Sequence, residues 1–131
     1  MSSRPLVVVD AANVIGSRPD GWWRDRAGAA RRLVERLASE PVLDGDVVVI
    51  LEGAARRGVE AGAFDGIQIV HAPRSGDDTI VDVVREARSA EPQRRIVVVT
   101  ADRGLRQRVE ELGADTVGPH ALRTTGARDS D

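Results

Sequence analysis

The chain has 131 residues, enough for one hydrophobic core and one domain but too few for two domains of ordinary size. It contains no cysteine, which excludes disulfides, cysteine-ligated zinc and a cysteine nucleophile. No apolar run is long enough to cross a membrane or form a signal-peptide core, and the net charge of −2 does not by itself favour nucleic acid. We expect a cytoplasmic protein without a membrane partner, with one domain over residues 1–123 and a frayed polar tail over residues 124–131.

Short apolar runs predict five β-strands, at residues 6–9, 46–51, 67–70, 95–99 and 115–117. Three of these runs consist almost entirely of β-branched residues, which is typical of strands buried on both faces of a parallel sheet. Longer amphipathic segments separate the strands. This alternation predicts a three-layer α/β/α sandwich with right-handed crossovers.

Apolar residues at helical spacing predict three helices, at residues 22–39, at residues 76–90 and from about Asp102 to the stop at Gly113. In the first helix, Trp23 falls on the apolar stripe and is predicted to be buried. Trp22 lies about 100° further around the helix and is predicted to be substantially more exposed. Residues 54–64 are ambiguous and could hold a short helix.

Four acidic residues are predicted to meet at the carboxyl edge of the sheet, where open α/β folds bind ligands. Asp10 and Glu52 directly follow the first two strands, and Asp77 and Asp102 open the second and third helices. Each alone could cap a helix or be solvated, and Asp102 in particular fits an N-cap. Gathered carboxylates repel one another unless a cation or a proton intervenes, and hard divalent ions prefer oxygen ligands, so the set predicts a metal site. Asn13 could either form a loop turn or orient a water or an acidic neighbour.

The adjacent aspartates of the stretch SGDDTI have different predicted roles. Asp77 shares a helical face with Ile80 and Val84, which pack on the sheet, so its carboxylate is expected to point towards the strand ends. Asp78 and Ser75 fit a capping box at the helix start. We therefore assign Asp77 to the site and Asp78 chiefly to the cap, with a water-bridged metal contact left open for Asp78.

Three segments, VVVDAANVIG, SGDDTIVDVV and VVVTADRGLRQRV, resemble in order and spacing the acidic motifs of PIN-like nucleases. The similarity is greatest to the NYN branch, including its YacP-like members, and extends over residues 6–117. The sequence departs from the family pattern in two places. Glu52 occupies a position where such domains often carry aspartate, so its longer side chain could bind a metal through water. The first motif reads DAAN and lacks the tyrosine of the usual DGYN.

The resemblance implies a mainly parallel five-stranded sheet in the order 3-2-1-4-5, with the first strand in the middle. It also implies cleavage of RNA with Mg²⁺ or Mn²⁺. Carried over to this sequence, Asp10, Asp77 and Asp102 become the metal-binding acids, and Asn13 and Thr100 become supporting polar groups beside the substrate.

Arginines and one tryptophan offer a surface for the substrate. Segments that leave the acidic edge contain the arginines Arg18, Arg24, Arg56, Arg57, Arg74 and Arg103. They could form a rim that holds phosphates, or an ordinary solvated surface. Trp22 could stack on an unpaired base or pack against the loop predicted at residues 14–19. His71 and His120 are interpreted as structural or solvated.

Three functions remain open from the sequence. The first is a metal-dependent endoribonuclease, and the second is an RNA-binding or regulatory module with the same fold and little or no turnover. The third is a metal-dependent phosphohydrolase that acts on a small phosphorylated substrate. The complete acid set favours catalysis, and the arginines favour a polymer. A receiver-type phosphoacceptor domain would need a lysine, and the chain has none. Monomer and homodimer are both open.

Overall fold

The computed structural model describes residues 4–18, 21–39 and 44–122. In these ranges six strands form one sheet: β1 (Leu6–Asp10), β2 (Asp46–Leu51), β3 (Gly62–Phe64), β4 (Ile67–His71), β5 (Ile96–Val99) and β6 (Asp115–Val117). The strand order is β3-β4-β2-β1-β5-β6. All neighbouring strands are parallel except β3, which pairs antiparallel with β4 at one edge.

Four α-helices lie entirely within the same ranges: α1 (Ala11–Gly16), α2 (Arg26–Ser39), α3 (Gly76–Ala90) and α4 (Arg103–Glu110). One hydrophobic cluster packs α1 and α2 on one face of the sheet, and a second packs α3 and α4 on the other. Alternate residues of β1 enter the two clusters, Val7 and Val9 on one side and Leu6 and Val8 on the other. The molecule is therefore a three-layer sandwich built around β1.

The position of β1 explains the edge at which the site lies. All five of its residues are buried, because β2 and β5 flank it in register and helices cover both of its faces. Asp10 pairs with Ile50 of β2, and Val9 pairs with Val99 of β5. The residues that follow β1, β2 and β5 therefore emerge side by side at the carboxyl edge.

The structure confirms the predicted α/β/α sandwich, the order of the five predicted strands and the inner position of β1. The prediction of five strands is wrong by one, because β3 was missed. It is three residues long with no buried residue, so it carries no strand-like apolar run. The ambiguous segment before it contains a short 3₁₀ helix, Gly53–Gly58. Helix α1 replaces the predicted loop after Asp10, since six residues are too few to show helical periodicity.

The predicted burial of the two tryptophans is wrong. Trp22–Arg24 form a separate 3₁₀ turn, and Asp25 breaks the backbone with φ −150° and ψ 76° before α2 begins. The helical phase of α2 therefore does not extend back to the tryptophans. Trp23 is 56% exposed, whereas Trp22 is half-buried and packs against the core.

The other helix predictions hold. Helix α3 spans the predicted residues, and α4 gives way to a turn that ends at Gly113, where φ is 86°. None of the helices in the described ranges is long and apolar enough to span a membrane. The tail predicted at residues 124–131 lies outside the described residues.

Candidate active site

Asp10, the last residue of β1, is a buried carboxylate with 5% of its surface exposed. The Thr100 hydroxyl donates to its Oδ2 at 2.8 Å, and the backbone N–H of Asn13 donates to its Oδ1 at 3.4 Å. Burial raises the pKa of Asp10 to about 6 against the lowering effect of these bonds, and the charges of Asp77 and Glu52 raise it further. A buried acid with such a perturbed pKa is typical of functional sites.

Polar contacts fasten Asp10 to the segment that follows β5. Thr100 is fully buried, and its Oγ1 also accepts the Asp102 backbone N–H at 3.1 Å. The Asn13 side-chain oxygen accepts the Ala101 N–H at 2.8 Å. Asp102 caps α4 by accepting the Leu105 N–H at 2.9 Å, as predicted. Asn13 therefore lies in α1, and its side chain holds the loop before α4. It does not form the loop turn that was one of the two roles predicted for it.

Glu52 links the end of β2 to the start of α3. Its Oε1 accepts the Gly76 N–H at 3.0 Å. A Cβ at position 76 would lie 2.5 Å from that oxygen, so glycine permits the approach. The contact positions the next residue, Asp77, which is half-buried. Burial raises the pKa of Asp77, the charges of Asp102 and Glu52 raise it further, and Arg108 lowers it.

Asp78 has a different partner from the one predicted. Ser75 caps α3 by accepting the Asp78 backbone N–H at 3.2 Å. The Asp78 carboxylate is exposed and pairs with the Arg108 guanidinium at 3.1 Å, which joins α3 to α4. The cap therefore belongs to Ser75, and Asp78 contributes only its amide. Arg108 was not identified from the sequence, because it lies thirty residues away on another helix.

The chemistry of these acids fits a divalent cation. Asp10, Asp77, Asp102 and Glu52 supply only oxygen donors, and the charges that raise the pKa values of Asp10 and Asp77 are those a cation would offset. In the described part of the chain, however, no three acidic or histidine side chains are already arranged as a metal-binding group. A shared metal at Asp10, Asp77 and Asp102 therefore stays a prediction.

The arginines predicted as a rim occupy several surfaces. Arg56 donates to the Gly53 and Ala72 carbonyls at 3.1 and 3.3 Å, and it lines a cleft of about 520 Å³ with Arg57 and His71. Arg74 and Arg103 are exposed near the starts of α3 and α4.

Two other predicted arginines lie on the α1–α2 side. Arg18 lines a cleft between these helices, and its Nε is buried without a hydrogen-bond partner in the described part of the chain. The Arg24 guanidinium lies 5.9 Å from the centre of the exposed Trp23 ring. The rim of arginines around the acids therefore stays a prediction.

The two histidines differ in their surroundings. His71 Nε2 lies 2.8 Å from the Val59 carbonyl oxygen, which agrees with a structural role. His120 is exposed and lines a cleft of about 400 Å³ beside α1. Asn13 and Ala101 line the same cleft, so it opens next to the contacts that hold Asp10 and Asp102.

The sandwich, its strand order and the acids at its carboxyl edge define a PIN-like domain of the NYN branch. The chain belongs to the YacP-like NYN domain family, whose model matches residues 7–128. This is a ribonuclease family, and membership supports a nuclease-type function.

A solved structure supports the same fold. The crystal structure of Rae1 (YacP) from Bacillus subtilis, in a W164L mutant, resembles this protein with a TM-score of 0.64 and 15% sequence identity. The likeness covers 92% of this chain and 74% of the other. Comparison with curated protein sequences gives no match.

Proposed function

We propose that this protein is an endoribonuclease that hydrolyses RNA phosphodiester bonds at its acidic edge with Mg²⁺ or Mn²⁺. The observation that carries the proposal is the electrostatic coupling of carboxylates from four segments. Burial, and after it the charges of Asp77 and Glu52, raises the pKa of Asp10; burial, and after it the charges of Asp102 and Glu52, raises that of Asp77. In a ribonuclease family, such a set is best explained as the site that meets a cation and a phosphate.

In the proposed reaction, a water oxygen forms a bond to phosphorus, the bond from phosphorus to the leaving ribose oxygen breaks, and a proton passes to that oxygen. The cation would be held by Asp10, Asp77 and Asp102, with Glu52 acting directly or through water. When bound, it would activate water and offset the charge on the phosphate. Thr100 and Asn13 serve as positioning residues, because their hydrogen bonds fix Asp10 and the backbone leading to Asp102.

The test is an incubation of the protein with single-stranded RNA in Mg²⁺, in Mn²⁺ and in EDTA. Cleavage is expected only with a metal. Asp77→Asn is expected to lower the rate of RNA cleavage by about 100-fold or more, because loss of a residue that only supports a metal ligand can already cost about 100-fold. Glu86→Gln is the matched control, because Glu86 is exposed on the same helix. Undiminished cleavage in EDTA or by Asp77→Asn would contradict the proposal.

A second candidate is an RNA-binding module without turnover. The observation that favours it is that no three acidic or histidine side chains in the described ranges are already arranged to hold a metal. RNA binding in EDTA, with no cleavage in either metal, would identify this case. Release of phosphate from added nucleotides, with RNA left intact, would instead identify a small-molecule phosphohydrolase. The cytoplasmic location stays a prediction, and monomer and homodimer are both still open.

A further inference from the structure

Trp23 is the only large apolar side chain with high exposure in the ranges that the structure describes. Its ring meets the Trp22 ring edge to face, with centroids 6.1 Å apart and an interplanar angle of 87°. Trp22 packs against the hydrophobic core, so it holds the turn in place while Trp23 extends into solvent. Leaving an indole exposed forgoes the free energy of burying it, which makes the position a candidate contact surface.

One guanidinium lies over each of the two rings. The Arg24 guanidinium lies 5.9 Å from the Trp23 ring centre, and that of Arg26 lies 5.3 Å from the Trp22 ring centre. The nearby Asp25 carboxylate accepts the Gly28 N–H at 2.8 Å at the start of α2. An exposed aromatic ring with a guanidinium over it matches an unpaired base and its phosphate, because proteins that bind single-stranded RNA combine aromatic stacking with positive charge.

The tryptophan turn adjoins the cleft next to the acids. The Trp22 Cζ2 atom lies 3.9 Å from the position that a Cβ on Gly16 would occupy. Gly16 lines the cleft of about 400 Å³ together with Asn13 and Ala101. Asn13 and Gly16 are about one turn of α1 apart, roughly 5 Å along its axis. A strand crossing this cleft would reach the tryptophan turn from the acidic edge.

We propose that Trp23 stacks on the base of an unpaired RNA nucleotide, that Arg24 binds a neighbouring phosphate, and that the cleft beside α1 leads the strand to the acids. The inference rests on the proposed ribonuclease function and names its substrate as single-stranded RNA. It also places on Trp23 the stacking role that the sequence offered for Trp22 as one of two alternatives.

The test measures the affinity of the full chain for a short single-stranded RNA of mixed sequence in EDTA, where cleavage is not expected. Trp23→Leu is expected to weaken the affinity for this RNA by about fivefold or more. Fivefold is the smallest loss of affinity expected when one base–aromatic stack is removed. Trp23→Phe keeps a stacking face and is expected to retain most of the affinity. Gln93→Ala is the matched control, because Gln93 is exposed near the opposite edge of the sheet.

Two further measurements separate stacking from charge. Trp23→Leu is expected to leave the salt dependence of binding unchanged. Arg24→Ala is expected to reduce the slope of the logarithm of affinity against the logarithm of salt concentration by about 0.7. With the same sequence as a blunt duplex, wild type and Trp23→Leu are expected to bind equally, because paired bases do not offer their faces. Equal losses on duplex and single strand would overturn the inference.

The outcomes also separate this inference from the proposed function. If wild type cleaves RNA and Trp23→Leu binds as tightly as wild type, the ribonuclease proposal survives and the stacking role falls. If Trp23→Phe loses as much affinity as Trp23→Leu, stacking is also refuted. If stacking is confirmed and no metal supports cleavage, RNA binding at Trp23 is supported and the proposed ribonuclease function is refuted. If wild type neither binds nor cleaves RNA, both are refuted.

Discussion

Charged groups at the amino ends of the strands, here called the amino edge, are paired differently from those at the carboxyl edge. At the amino edge, the side chain of Arg94 is 13% exposed, and each of its nitrogens has a partner. Its Nε donates to the Arg4 carbonyl at 2.8 Å, while the other two nitrogens lie 2.7 Å from Asp46 and 3.5 Å from Glu91. These contacts join the starts of β1, β2 and β5.

Arg88 extends the same arrangement to the end of α3. Its guanidinium donates to four backbone carbonyls at 2.7 to 3.1 Å, those of Leu112, Pro92, Arg94 and Gly113. At the carboxyl edge, by contrast, burial and neighbouring negative charges raise the pKa values of Asp10 and Asp77. Charge at the amino edge is satisfied within the chain and stabilises the fold. Charge at the carboxyl edge calls for an external cation or a proton, as a reactive site does.

The largest effect on stability is expected at the amino edge. Arg88→Met removes a charged donor from four carbonyls, and we expect the free energy of unfolding to fall by about 2–3 kcal/mol. Denaturant unfolding measures this. Arg85→Met is the matched control on the same helix; its pair with Asp82 is exposed, and its loss should cost about 0.5 kcal/mol or less. Equal losses in the two variants would remove the contrast between the edges.

The pH dependence of stability tests the carboxyl edge. Because the pKa of Asp10 is raised from 3.8 to about 6, the folded state keeps a proton that the unfolded state has lost within that window. Stability from this group is therefore lost as the pH rises, by about 2 kcal/mol between about pH 4 and pH 7. Asp10→Asn lacks this titration, so its stability relative to wild type should increase over the same range in EDTA. Parallel pH profiles would show that Asp10 is not perturbed.

The smallest effects concern the start of α3 and separate its cap from its surface pair. Ser75→Ala removes the side chain that accepts the Asp78 amide, and a lost N-cap costs about 1 kcal/mol. Asp78→Ala removes an exposed pair with Arg108 and one acid from the first turn, and we expect about 0.5 kcal/mol. Thermal unfolding of both variants gives the comparison. A larger loss for Asp78→Ala would return the capping role to Asp78.

The elements that could be predicted from the sequence are those whose burial is periodic along the chain. The continuous apolar run of β1 and the spacing of Ile80 and Val84 in α3 report which faces are covered. The order of the strands came from the family resemblance, because apolar periodicity carries no information about which strand pairs with which. The segments that were missed have little burial or little length, as with β3 and α1.

For the candidate site, the sequence predicts which acids lie at the carboxyl edge, but it does not predict the hydrogen bonds and ion pairs that those acids make. Strand ends and helical phase bring Asp10 and Asp77 to one edge, and that much follows from local pattern. The hydroxyl that bonds Asp10 and the guanidinium that pairs with Asp78 come from segments distant in sequence. The predicted burial of the two tryptophans is wrong for a related reason. It assumed that they continue the helical phase of α2, and the break in the backbone at Asp25 ends that phase.

The bond between Thr100 and Asp10 also bears on when the site can exist during folding. The two residues are separated by 90 positions, and the Asn13–Ala101 contact by 88. Contacts of such high sequence separation close large loops, so they cannot form until β5 has docked beside β1. A growing chain on the ribosome would carry Asp10 long before it gained the hydroxyl that orients it. Under the proposed function, catalytic competence at this edge is thus acquired only once β5 has docked beside β1.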